Sequence, residues 1–93
     1  MPETKPLKVL IADDEPLAAE RMQLLLAKAE GAQLVGTASD GDSAINLAEA
    51  VSPDLLLLDI AMPGLDGIGV ARALAALSPS PAVVFVTAFD QFA

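Results

Sequence analysis

Leu55-Leu56-Leu57-Leu58-Asp59-Ile60-Ala61-Met62-Pro63-Gly64 decides how this chain folds. Four consecutive leucines read as a β-strand buried on both faces, the pattern of a parallel strand covered by helices above and below. The run ends in a carboxylate, and Pro63 and Gly64 then stop regular structure. Asp59 has two readings. It caps the turn that follows, or it is displayed for chemistry at the carboxyl end of a parallel strand, where α/β sheets bind ligands. The rest of the chain decides between them.

Working outward, Leu7 to Ala12 (LKVLIA) and Ala82 to Val86 (AVVFV) are short apolar runs that read as further buried strands, and Gln33 to Ala38 (QLVGTA) as a less apolar one near an edge. Helical periodicity fills the gaps. Pro16 stands where a first helical turn tolerates proline, and Ala18, Met22, Leu25, Leu26 and Ala29 form an apolar stripe that Gly31 closes. Ser39-Asp40-Gly41-Asp42 supplies capping oxygens and early negative charge for a second helix with Ala44, Leu47, Ala48 and Val51 inward. Ser52-Pro53 ends it. Asp66 is the expected N-cap of a third helix whose buried side is Ile68, Ala71, Leu74, Ala75 and Leu77. Ser78-Pro79-Ser80-Pro81 is a turn, and Ala88 to Ala93 is expected to begin another helix. The order βαβαβαβ predicts an α/β fold, a doubly wound parallel sheet with helices on both faces and right-handed crossovers.

Composition narrows the function. Ninety-three residues make one small domain. Residues 1–6 read as a flexible tail and 7–93 as the folded unit. A formal net charge of −8 argues against direct nucleic-acid binding and against docking on anionic lipid. The chain has no Cys, so it has neither a disulfide framework nor a thiolate metal site. No apolar run reaches the ~20 residues a membrane helix needs, and no signal peptide is evident.

The chemistry converges on one rim. In a parallel sheet, the first strand delivers Asp13 and Asp14 to the carboxyl edge, the third delivers Asp59 and the fourth Thr87. An acidic N-cap for the first helix explains one of Asp13 and Asp14, but not two acids facing a third. Carboxylates packed this way repel, and a hard divalent cation relieves them. Mg²⁺, with one or two carboxylates plus waters and phosphate oxygens, suits that donor set.

VLIADDEP at 9–16, LLLLDIAMPGLDGI at 55–68 and VFVTA at 84–88, at this spacing, resemble the receiver domain of two-component response regulators. ADDEPLAAERMQLLL and TAFDQFA further resemble receivers that carry a LytTR-type output domain. The resemblance implies a flavodoxin-like strand order 2-1-3-4 and assigns roles. Asp59 matches the phosphoacceptor for a histidine kinase. Asp13 and Asp14 match the acidic pair that holds Mg²⁺, Ala61 offers its backbone carbonyl to the metal, and Thr87 is the switch hydroxyl that reads the phosphoryl group. It implies a cytoplasmic phosphoprotein in a phosphorelay that regulates transcription. Any catalysis is then at most Mg²⁺-dependent phosphorylation and dephosphorylation of its own aspartate.

The family pattern continues past Thr87 through a fifth strand whose end carries a lysine that pairs with the phosphoryl group. This chain has no Lys beyond Thr87. The resemblance therefore implies a receiver incomplete at its C-terminus, lacking a fifth strand and last helix, on the order of 25 residues. The apolar fourth strand would then be an edge and a site for homodimerisation or higher self-association.

Other readings fit less well. A haloacid-dehalogenase-type hydrolase wants a second acid two residues after its strand-end Asp, where this chain has Ala61. A dinucleotide fingerprint fails because Arg72 stands at the last glycine position after Gly67 and Gly69. A calcium loop beginning at Asp40 fails because Ile45 and Val51 occupy its Gly and Glu positions. The alternative that stays open is a degenerate receiver fold used only for protein contacts.

Overall fold

A computed structural model of the chain describes residues 5–60, 62 and 66–86. The elements run β1 (Leu7–Ala12), α1 (Pro16–Lys28), β2 (Ala32–Ala38), α2 (Gly41–Val51), β3 (Leu55–Asp59), α3 (Gly67–Ala75) and β4 (Ala82–Val86). The strands form one parallel sheet in the order β2-β1-β3-β4, the flavodoxin-like order expected.

The central strands are the most apolar because both their faces are covered. Leu10, Ala12, Leu56 and Leu58 turn to one face and join Ala44 and Ala48 of α2 and Val70 and Leu74 of α3 in a single core. Alternation sends Val9 and Ile11 to the opposite face, where they are equally buried, and α1 packs on that side against β1 and β2. Each fully buried leucine stabilises by about 1.5–3 kcal/mol relative to an exposed one. Leu55 and Leu57, the other half of the leucine run, are only half-buried.

Two helix faces differ from the expected ones. On α1, Ala18, Met22 and Leu26 do face inward, but Leu25 is 67 % exposed and Ala29 is exposed; Ala19 and Gln23 complete the inward side instead. On α3, Ile68 is 68 % exposed and Ala75 is exposed, while Val70 and Leu74 are buried. Both helices are rich in apolar residues around most of their circumference, so several stripes satisfy a 3.6-residue period, and contact with the sheet selects one.

Each helix start has a local cause. Asp40 caps α2 by accepting from the Ser43 amide (2.7 Å), and Asp66 caps α3 by accepting from the Gly69 amide (3.1 Å). α1 has no side-chain cap and begins instead with Pro16 in its first turn. Gly31, between α1 and β2, takes φ +84°, a conformation that favours glycine. Gly36 lets β2 lie close under α2: a Cβ there would stand 2.8 Å from Cδ2 of Leu47.

The amino edge is laced together. The Lys8 amide donates to the Asp54 carboxylate (2.8 Å), and the Asp54 amide donates to the Lys8 carbonyl (2.8 Å). The Lys8 ammonium donates to the Val51 carbonyl (3.0 Å) at the end of α2, where a cation meets the negative end of the helix dipole. The Ala82 amide, at the start of β4, donates to the Asp54 carbonyl (3.0 Å).

Among the described residues β4 is the outer strand beyond β3. It is not the buried strand its apolar sequence suggests: Val84 is 46 % and Phe85 47 % exposed. Ala88 to Ala93, expected to begin a helix, lie outside the described residues.

Candidate functional site

Sheet register builds the site. Ala12 pairs with Leu58, so the next step along both strands sets Asp13 beside Asp59 at the carboxyl edge. The Asp13 amide donates to the Ala38 carbonyl (2.9 Å), extending the contact between β1 and β2 by one residue and fixing the Asp13 backbone. Asp59 is the last residue of β3 and pairs with Val86, the end of β4; the Ile60 amide then donates to the Val86 carbonyl (3.1 Å). Asp14 follows Asp13 at the surface.

Asp13, Asp14 and Asp59 each offer one carboxylate oxygen, and these oxygens all lie within 4.8 Å of one another. Asp13 is 7 % exposed, Asp59 half-buried and Asp14 exposed. The cluster thus grades from a buried anchor to an open mouth. The three acids named from sequence are brought together; Thr87 and Ala61, the other two expected site residues, lie outside the described residues.

Burial pushes the Asp13 carboxyl above the usual carboxylate range. The Glu15 backbone N–H, donating to Asp13 Oδ1 at 2.9 Å, acts in the opposite direction. The charge of Asp59, a side-chain hydrogen bond with Asp59 and the charge of Asp14 push it further up. Among the described residues, the groups that shift Asp13 are Glu15, Asp59 and Asp14. Three carboxylates gathered this closely suit a hard divalent ion with oxygen ligands. The donor set is all oxygen, with neither thiolate nor imidazole in the chain, which suits Mg²⁺ better than a transition metal.

Reading the sequence did not find the Glu15 amide as a partner of Asp13. The available signal was Pro16, which restricts the preceding residue to extended backbone. Glu15 has φ −95° and ψ 110°. Met62 was also missed; it is buried in the core just beyond the site.

The model of the response regulator receiver domain matches residues 9–93. The chain belongs to the response regulator receiver family. This receiver is 48 % identical over 88 residues to the positive alginate biosynthesis regulatory protein of Pseudomonas aeruginosa, covering 94 % of this chain and 36 % of that protein. It thus spans about a third of the length of that curated relative. Among solved structures it is similar to the signal receiver domain of NarL from Mycobacterium tuberculosis, with a TM-score of 0.81 and 37 % identity over 92 % of this chain and 69 % of the other. It is also similar to a chain of the CheX–CheY–BeF₃–Mg²⁺ complex of Borrelia burgdorferi, with a TM-score of 0.79 and 27 % identity over 95 % of this chain and 68 % of that one. Receiver architecture accounts for the parallel sheet, its strand order and the acidic cluster at its carboxyl edge.

Proposed function

We propose that this receiver accepts a phosphoryl group from a histidine kinase on Asp59, in the presence of Mg²⁺, and so switches an output. The observation that carries the reading is the convergence of Asp13, Asp14 and Asp59, with Asp59 at the end of the leucine strand. Asp13 and Asp14 would hold the cation together with Asp59; the family pattern adds the Ala61 backbone carbonyl. Bound there, Mg²⁺ neutralises negative charge on the carboxylates and on the transferring group.

The chain's own residues carry the rest. A carboxylate oxygen of Asp59 attacks the phosphorus of phosphohistidine. The P–N bond breaks, the imidazole leaves with its electron pair and takes up a proton, and a mixed carboxylic–phosphoric anhydride forms on Asp59. A carboxylate is a weak nucleophile, so positioning matters more than basicity. The rigid end of β3, held by the Leu56–Leu58 core and by register with β1 and β4, supplies it. Water later hydrolyses the anhydride to restore Asp59 and release phosphate. Thr87, which directly follows the strand residue paired with Asp59, is assigned as the hydroxyl that reads the phosphoryl group.

The output proposed is transcription, which similarity to a transcriptional regulatory protein, BtsR of Salmonella typhi, supports; a DNA-binding domain of the LytTR type rests on the sequence resemblance alone. A net charge of −8 argues against DNA contact by this segment. No helix among the described residues is long and apolar enough to cross a membrane, which accords with a cytoplasmic setting for the kinase encounter. Incubation with a phosphorylated histidine-kinase core tests the reading. Radiolabel moves to the wild type and not to Asp59→Asn; equal labelling of both removes Asp59 from the mechanism.

A protein-contact role is the second reading, favoured by the apolar outer strand β4 with Val84 and Phe85 half-exposed. In that reading two copies pair through β4. Sedimentation that stays monomeric at high protein concentration rejects it.

A further inference from the structure

We propose that Pro16 is a positioning residue for the cation site, acting through the Glu15 backbone and the Asp13 carboxylate. The inference rests on Asp13, Asp14 and Asp59 being that site.

α1 begins differently from its neighbours. α2 and α3 start at aspartates whose side chains cap the first turn. At α1 the residue in that place, Glu15, makes no capping hydrogen bond. The carboxylate next to this helix start, Asp13, instead accepts from the Glu15 amide through Oδ1, at 2.9 Å. The Glu15 carbonyl accepts the first helical hydrogen bond, from the Ala19 amide (3.0 Å), but its own backbone stays outside the helix, and the following proline favours that. The Pro16 ring disfavours helical backbone at Glu15 and favours the extended φ −95°, ψ 110° that it adopts.

That conformation has a chemical consequence. The Asp13 backbone is pinned by its amide bond to the Ala38 carbonyl (2.9 Å). With Oδ1 also held by Glu15, the carboxylate loses its freedom to rotate, and its second oxygen has a set position. A cation ligand arranged in this way pays less ordering entropy when the ion binds. Alanine at position 16 lets Glu15 enter helical backbone, lengthens α1 by a residue and draws the amide off Asp13.

The test uses Mn²⁺ alone as the probe, its free concentration read by electron paramagnetic resonance well below the melting temperature. Pro16→Ala is compared with Leu24→Gly, which weakens α1 at an exposed position away from this turn. Pro16→Ala is expected to weaken Mn²⁺ binding about tenfold, the low end for loss of an outer-shell partner, and to speed amide exchange at Glu15. Leu24→Gly is expected to lower Tm with affinity unchanged. Wild-type affinity in Pro16→Ala, whatever its Tm, overturns the proposal; so does an equal loss in both variants. If the wild type itself binds no Mn²⁺, the cation-site reading fails and this inference falls with it, an outcome distinct from the other two.

Discussion

Asp13 and Asp59 bring carboxylate oxygens within 4.8 Å of each other from the ends of two adjacent parallel strands. The sheet therefore sets like charges close together, a repulsion that the Glu15 amide on Asp13 opposes, and the consequences are measurable.

Mg²⁺ should stabilise the wild type as RT ln(1 + [L]/Kd), about 2.7 kcal/mol at a hundred times Kd. Asp13→Asn removes one of the repelling charges. It should raise Tm in the absence of divalent cations and abolish most of the Mg²⁺-dependent rise. Thermal melts with and without Mg²⁺ check both halves; a metal-free Tm lowered by Asp13→Asn would show that the acid stabilises the fold.

The pH dependence has a definite sign. The folded-state pKa of Asp13 lies above its ordinary value of 3.8. Its contribution is therefore fully present below pH 3.8 and is lost as pH rises through the folded value. Asp40 is the reverse: the Ser43 amide holds its carboxyl below 3.8, so its contribution is present above that value and lost as pH falls through the folded one. Metal-free wild type should lose stability between pH 3.8 and neutrality relative to Asp13→Asn, and saturating Mg²⁺ should close that gap. Tm against pH for the two proteins gives the comparison.

Leu58→Ala opens a cavity beneath the site and should destabilise by about 2–5 kcal/mol. In a domain this small that is a large share of total stability. Leu25→Ala, on the exposed side of α1, should change stability by less than about 0.5 kcal/mol. Denaturant melts distinguish them, and a large loss at Leu25 would contradict the inward face assigned to α1.

That contrast shows how much of the fold was legible in the sequence. β1, β3 and β4 are short apolar runs, broken inside only by Lys8 of β1, that begin after Pro6, Asp54 and Pro81 and give way to Asp13, Asp59 and Thr87, so their spans could be read directly. The faces of α1 and α3 could not. QLLLAK in α1 and GIGVARALA in α3 place apolar side chains at several phases of the same helix, and only the sheet contact decides that Leu26 turns in while Leu25 turns out. The acids of the site were legible because each ends a strand, and strand ends in a parallel sheet share one edge. The Glu15 amide was not, because every residue but proline carries a backbone donor and the next residue's ring decides where this one points.

Ser52, the C-cap of α2, takes φ 48°, the left-handed region that disfavours residues bearing a Cβ. Ser52→Gly should stabilise by about 1 kcal/mol. An unchanged or lowered denaturation midpoint would mean that the hydroxyl makes a compensating contact.

The most direct test of the central claim is chemical. The protein is incubated with acetyl phosphate and Mg²⁺, the acyl phosphate is trapped by borohydride reduction, and peptides are mapped by mass spectrometry. The account predicts Mg²⁺-dependent modification at Asp59 that is lost in Asp59→Asn and strongly reduced in Asp13→Asn. Modification that ignores Mg²⁺, or that falls on a carboxylate other than Asp59, would contradict it.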